Sequence, residues 1–210
     1  MGFFSSNKTP KYSDKVWKSS SFCLKGMITE ALQSITHGNV PVVVTFFSES
    51  NESVLGFLSE NSVPHFKIEN DNSSEALEQS KTIFVIPSVL IDSSAFKSLL
   101  PKLNTRQKID FLFFGHYPLP SKENKVLELL SNTKSSITFY SSLDQPSFEI
   151  FGSAQTISLM NTMGLKDDEA IENSMVSKAM TRAREKIESK VKFDNESGSE
   201  KDWFHKNVKN

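Results

Sequence analysis

The sequence predicts an α/β protein in which a mostly parallel five-stranded sheet is flanked by helices and followed by a C-terminal helical extension. Five apolar or alternating runs of strand length lie within residues 40–142. Segments with helical spacing of apolar residues separate them, and this alternation is typical of right-handed parallel crossovers. After Ser142 only helical spacing remains, so the sheet is expected to end there.

The elements of the α/β domain are predicted within residues 24–145, after a loose N-terminal arm, 1–23, that is rich in Ser, Lys and Asn. The run VPVVVTFF is apolar and β-branched throughout, which favours a strand buried on both faces. The predicted strands are 40–47, 63–69, 82–86, 109–115 and 136–142. The predicted helices are 24–37, 50–58, 74–79, 94–100 and 122–130.

Beyond the sheet, residues 146–192 are predicted to form the helical extension, and residues 193–210 a polar, frayed tail. The extension ends in a long amphipathic helix whose apolar side includes Met175, Val176, Met180 and Ile187. That side needs a partner. Two alternatives are open: the helix folds back on the sheet, or it offers a binding face to another protein. In the tail, Trp203 and Phe204 form a candidate docking knob.

Composition excludes several classes of function. The net charge is −1, which gives no electrostatic footprint for nucleic acid. The single cysteine, Cys23, cannot form an internal disulfide, and no apolar run approaches the roughly 18 residues of a membrane span. The four histidines are scattered without ligand spacing, so no metal site is expected. We therefore expect a cytoplasmic protein without a transmembrane segment.

Two stretches carry a resemblance to a known family. Residues 139–152 read FYSSLDQPSFEIFG, and residues 157–188 read ISLMNTMGLKDDEAIENSMVSKAMTRAREKIE. Together they resemble SecA, the ATPase motor of bacterial protein export, where its second nucleotide-binding domain joins the helical scaffold. Residues 40–71 are similar, more weakly, to the start of that domain. The resemblance spans residues 40–188 and implies a RecA-like sheet.

The catalytic groups of such a motor are absent from the matching positions. ATP hydrolysis of this type needs a phosphate loop, a carboxylate for Mg²⁺ and arginines that stabilise the transferring phosphoryl group. No G-x-x-x-x-G-K-[ST] motif occurs in the chain. The resemblance places the family's three arginines on Lys125, Leu127 and Leu130. This predicts a pseudo-ATPase with no catalytic residue and no cofactor.

Three residues mark a candidate ligand edge. Asp92 follows the third predicted strand, near the position where the SecA family has an aspartate-containing loop. The glycines and the arginine of that loop are absent from this sequence. His116 and Tyr117 follow the fourth strand, at the sheet edge where open α/β sheets bind ligands. The alternative is a plain loop in which Pro118 and Pro120 end the strand.

The sequence therefore favours a non-catalytic interaction or adaptor module linked to protein export. The expected partner is a full-length SecA-type motor or another export component. Two alternatives are a nucleotide- or small-ligand sensor at the sheet edge, and a half-site ATPase that needs a second chain to supply the phosphate loop.

Overall fold

The computed structural model describes residues 10–69, 81–104, 108–151, 158, 162, 164 and 166–208. Its strands are β1 (Ser13–Trp17), β2 (Val40–Thr45), β3 (His65–Lys67), β4 (Ile83–Pro87), β5 (Ile109–Phe114) and β6 (Ser135–Ser142). Its helices are α1 (Ser20–Thr36), α2 (Ser48–Glu60), α3 (Ser94–Asn104), α4 (Pro120–Leu130), α5 (Pro146–Phe151), α6 (Ser174–Glu188) and α7 (Glu200–Asn207). The helix predicted at 74–79 lies outside the described residues.

The six strands form one sheet in the order β1-β6-β5-β2-β4-β3, and all five neighbouring pairs run parallel. The predicted α/β class, RecA-like with a mostly parallel sheet, is confirmed. β2 is central, and all six of its residues are buried. Helices cover both faces of a parallel sheet and bury its inner strands. This is why the sequence of β2 is a continuous apolar run.

The sheet has six strands rather than the predicted five, because the N-terminal arm contributes one. β1 pairs with β6 in a register that runs from Ser13 opposite Thr138 to Trp17 opposite Ser142. Its sequence, SDKVW, lacks the apolar run of an inner strand because it lies at the edge of the sheet, where charged side chains reach solvent. Val16 and Trp17 at its end are buried, so the arm is not loose at these residues.

Two apolar layers cover the sheet. α1 and α2 pack on one face through residues that include Met27, Ile28 and Leu58. α3 and α4 pack on the other, where Phe96 and Leu127 are buried against β2 and β5. Ser19 caps the N-terminus of α1: its hydroxyl accepts a hydrogen bond from the Phe22 amide. No helix in the described part of the chain is long and apolar enough to cross a membrane.

The C-terminal part of the chain returns to the sheet. α6 packs on α4 and α5, and α7 packs on α5. The tail predicted as polar and frayed therefore holds a helix, and its Trp203 side chain is fully buried. α7 is short and strongly polar, and it is ordered by the packing of two adjacent aromatic side chains rather than by helix propensity.

Candidate functional site

The strand order places a topological switch point between β2 and β5. The chain leaves β2 through α2 towards β3 on one side, and it leaves β5 through α4 towards β6 on the other. In open α/β sheets, ligands bind in the crevice outside the carboxyl ends of two such strands. Here that crevice lies between Phe46-Phe47 after β2 and Gly115-His116-Tyr117 after β5. It is the first place to search for a functional site.

Gly115 makes the turn that opens this loop. Its φ is +82°, in the left-handed region, and its amide donates a hydrogen bond to the Tyr140 carbonyl at 2.8 Å. An added Cβ would approach the Gln145 side chain at 3.3 Å, in a backbone conformation that side chains rarely adopt. Glycine therefore allows the chain to turn sharply and to direct His116 and Tyr117 to opposite surroundings.

The switch-point crevice is filled by the protein's own C-terminal segment, residues 194–208. Asp194 accepts hydrogen bonds from the Tyr117 hydroxyl at 2.8 and 2.9 Å and from the Trp203 indole at 2.7 Å. Trp203 and Phe204 pack with Phe47, which stacks on the Tyr117 ring at 5.7 Å between centroids. Tyr117 is thus bound inside the molecule by the segment that was predicted to be frayed.

The same segment reaches the N-terminus of α2. The Glu49 amide donates to the Gly198 carbonyl at 3.0 Å, and the Ser48 hydroxyl donates to the same oxygen at 3.1 Å. Phe47, at the N-cap position, supplies no side-chain acceptor. A helix N-terminus at a switch point commonly binds phosphate through its free amides. In this chain a neutral carbonyl of the C-terminal segment occupies that place.

A cavity of about 270 Å³ remains beside the C-terminal segment. Asp194 and Glu196 both line it, and the Lys122 ammonium lies 3.4 Å from the Asp194 carboxylate. Two carboxylates against one cation make a poor environment for phosphate groups, since like charges repel strongly where water is partly excluded. The geometry therefore disfavours a nucleotide in the space that is left.

His116 lies on the other side of the loop, in a buried cluster of charges. Its Nδ1 is 2.9 Å from the Glu123 carboxylate, and its Nε2 is 3.1 Å from the Asp14 carboxylate. Arg184 donates through Nη1 to Glu123 at 2.8 Å and to the Tyr117 carbonyl at 3.1 Å. The imidazole stacks on Phe139 at 4.1 Å. We call Asp14, His116, Glu123 and Arg184 the buried charge cluster.

The buried charge cluster is neutral only when His116 is an imidazolium. Both ring nitrogens face carboxylate oxygens, which accept but do not donate when ionised, so both nitrogens must carry a proton. Burial and Arg184 act to lower the pKa of His116, but the attraction of Glu123 and the hydrogen bonds to Asp14 and Glu123 outweigh them and raise it. Burial acts to raise the pKa of Glu123, but His116 and Arg184 hold it below its usual range.

The cluster connects four parts of the chain rather than binding a ligand. Asp14 is on β1, His116 follows β5, Glu123 is in the first turn of α4, and Arg184 is on α6. The four side chains are nearly inaccessible to solvent. Sequence reasoning found His116 but missed Asp14 and Arg184, because no local spacing relates residues that are 60 or more positions apart. The same holds for Asp194. Sequence reasoning also missed Glu123, seven residues after His116, because an acid in the first turn of a helix is favourable by itself and marks no partner.

The third residue of the predicted ligand edge lies elsewhere. Asp92 is exposed after the 3-10 turn Ser88–Leu90, where it forms an ion pair with Lys97. It does not line the cavity beside the C-terminal segment. Asp92, His116 and Tyr117 are therefore not brought together: one is on the surface, one is in the buried charge cluster, and one is in the filled crevice. Among the described residues no group of metal ligands converges.

Lys125, Leu127 and Leu130, on which the sequence resemblance placed the motor's three arginines, lie on α4. Leu127 and Leu130 are buried in the apolar layer that α4 forms on the sheet, and Lys125 is exposed. Neither leucine reaches the crevice, since both contribute to the core under β2 and β5. α4 thus serves as a packing helix.

The predicted partner-binding face of the long helix folds back on the molecule. Val176 and Met180 pack with Val16, Leu143 and Phe148, and Ile187 packs with Trp203 and the other crevice residues. Met175 alone among the four remains open to solvent, with 74% of its surface exposed. Of the two alternatives left open by the sequence, the structure adopts the fold-back.

No protein-family model matches the chain. Curated proteins do match: a 52-residue region is 46% identical to the protein translocase subunit SecA of Acidithiobacillus ferrooxidans, and 44% identical to that of Psychrobacter cryohalolentis. Identity to the Acinetobacter baumannii subunit is 42%. This chain contains a SecA-related region. The region covers 25% of this chain and 6% of each relative, so the chain spans a small fraction of the curated relatives it matches.

Proposed function

We propose that this chain is a non-catalytic module of SecA ancestry that acts as an interaction or adaptor component in protein export, with a full-length SecA-type motor as its partner. The observation that carries the proposal is the filled crevice. The C-terminal segment occupies the switch point through Trp203, and it satisfies the α2 N-terminus through Gly198. A domain that used this crevice for ATP would need the same amides and the same space.

The leucines at the motor's arginine positions support the same conclusion. An arginine that stabilises the transferring phosphoryl group contributes a factor of about 10³–10⁵ in rate, and an apolar side chain contributes none of it. Leu127 and Leu130 instead bury their side chains under the sheet. Two core residues at these positions agree with a domain that keeps the fold of a motor without its catalytic chemistry.

The half-site ATPase is less well supported than the adaptor. A second chain can supply the phosphate loop. The arginines would still have to come from α4 of this chain, where Leu127 and Leu130 stand instead. The sensor alternative requires the C-terminal segment to leave the crevice before a nucleotide binds. The half-site ATPase and the sensor each predict experimental outcomes that differ from those expected of an adaptor.

The test uses the purified full chain in three measurements. We expect no Mg²⁺-dependent ATP turnover by the chain alone and no thermal stabilisation by ATP or ADP. We expect the chain to bind a purified full-length SecA and to change its ATPase rate in a saturable way. Turnover abolished by a point change within this chain would refute the non-catalytic assignment. Nucleotide stabilisation would support the sensor, and absence of binding to SecA would refute the adaptor role.

A further inference from the structure

A second cavity lies between α5 and α6 and has a volume of about 560 Å³; His116 and Val208 also line it, so it adjoins the C-terminal segment. Its floor is apolar and includes Phe148, Val176, Met180 and Ile187. The volume lies within the range of about 300–1,000 Å³ that is typical of small-molecule sites. We call it the α5–α6 cavity. Neither the SecA resemblance nor the buried charge cluster assigns it a role.

Three cations line the rim of the α5–α6 cavity. Arg182 and Lys186 are on α6, and Lys190 follows directly after it. A spacing of four residues places side chains on one side of a helix, so the three form a row beside the apolar floor. All three are exposed, and none of them forms an ion pair within the described residues. Cations in a last helical turn stabilise the helix, but that does not explain a cavity beside them.

A fourth cation points to a missing acceptor. Arg184 is 3% exposed, and its Nη1 is used by Glu123 and Tyr117. Its Nε–H is buried and has no acceptor among the described residues. Arg184 also lines the α5–α6 cavity. Because leaving a buried donor unpaired is destabilising, the Arg184 Nε–H marks a place where an oxygen atom from a ligand would be stabilising.

Glu185 and Glu188 lie on α6 among these cations, but within the described residues no ion pair joins either of them to the row. Residues 152–165, which connect α5 to the part of the chain before α6, contain no Asp or Glu. Glu200 accepts a hydrogen bond from Ser147 at the cavity wall, and burial raises the pKa of its carboxyl to about 7. One acid with a raised pKa does not balance the three cations of the row.

We propose that the α5–α6 cavity binds a small amphipathic anion, whose apolar body covers the floor and whose carboxylate or phosphate lies at the rim beside Arg182, Lys186 and Lys190. The apolar floor and the row of cations are both needed, so neither an uncharged chain nor a free small anion is a sufficient ligand. The proposal does not depend on the adaptor function.

The test uses octanoate as the probe, with 1-octanol and acetate at the same concentration as controls for the apolar body and for the charge. We expect octanoate to raise the thermal midpoint of the full chain and to shift the amide signals of α6, whereas the two controls have no effect. Equal effects of octanoate and octanol, or no effect of octanoate, would overturn the proposal. Binding only to anionic phosphatidylglycerol vesicles, without binding of octanoate, would also overturn it.

Matched variants locate the site. Lys186→Gln with Lys190→Gln should weaken octanoate binding about fivefold, since two exposed ion pairs are lost. Lys178→Gln with Lys192→Gln removes the same charge from exposed positions that do not line the cavity, and it should leave affinity unchanged. Ala179→Trp, at an exposed lining position, should block binding while the urea midpoint stays the same. Equal loss in both lysine pairs would assign the effect to net charge and reject the cavity.

Discussion

His116 is the side chain whose protonation state decides the net charge of the buried charge cluster. It is the only group of the buried charge cluster whose ordinary pKa, 6.5, lies near neutrality. As an imidazolium it donates to both Asp14 and Glu123; as a neutral ring it can donate to only one of them. Buried carboxylates are tolerated when they are paired, so the protonation of one ring affects three elements at once.

The first prediction concerns the pH dependence of stability. The pKa of His116 is raised in the folded state, so its stabilising contribution is complete below pH 6.5 and is lost as the pH rises through the folded value. The pKa values of Asp14 and Glu123 are lowered from 3.8 and 4.5, so their contributions are complete above those values and are lost as the pH falls through the folded ones. We expect the cluster to stabilise most between about pH 4.5 and 6.5.

Urea unfolding of His116→Gln and of the parent across this range measures the effect. The difference in free energy of unfolding should be largest near pH 5.5 and should shrink as the pH rises above 7. His37→Gln is the control, because His37 is exposed at the end of α1. A difference that stays constant with pH would show that the imidazole is neutral in the folded protein.

At the scale of elements, α7 acts as a built-in occupant of the crevice. It brings Trp203 and Phe204 against Phe47 and Leu119, while the preceding residues reach Tyr117 and the α2 N-terminus. A short polar helix has little stability in isolation, so α7 and the crevice depend on each other. Any ligand for the crevice would have to compete with this intramolecular packing.

The second prediction tests that dependence through Trp203→Ala. Removing a fully buried tryptophan should lower the free energy of unfolding by about 3–5 kcal/mol. It should also speed hydrogen exchange at the Glu49 amide, which donates to Gly198, while the Val43 amide in central β2 keeps its protection. Phe193→Ala is the matched control, because Phe193 is an aromatic residue immediately before the C-terminal segment with 78% of its surface exposed. Unchanged exchange at Glu49 would mean that Gly198 is held without Trp203.

At the scale of the whole molecule, the inner strands could be predicted from the sequence. The closing contacts, by which β1 and the C-terminal segment pack on the rest of the molecule, could not. β2 and β5 are apolar runs that only a covered parallel sheet explains, and α1 has clear helical spacing. β1 was missed because edge strands need no apolar run. The order of α7 was missed because it rests on contacts with Phe47 and Tyr117, more than 80 residues away along the chain. Long-range pairing leaves no periodic signal in a sequence.

These closing contacts join segments that the sequence separates into arm, domain, extension and tail. Val16 of β1 exchanges backbone hydrogen bonds with Ile171 before α6, at 3.1 and 2.8 Å. Asp14 and Arg184 enter the same buried charge cluster, and Ile187 packs beside Trp203. Because the ends of the chain are built into the packing of the middle, we expect the described residues to unfold as one cooperative unit.

The last prediction uses the two tryptophans, which report on opposite ends of the chain. Trp17→Phe leaves Trp203 of α7 as the single fluorescent tryptophan, and Trp203→Phe leaves Trp17 of β1. In each variant the urea midpoint from fluorescence should equal the midpoint from far-UV circular dichroism. The comparison is made within one variant, so the destabilisation caused by the substitution cancels. If Trp203 fluorescence changes at a lower urea concentration than the dichroism, the C-terminal segment leaves the crevice before the sheet unfolds, and the crevice would then be open to a competing ligand.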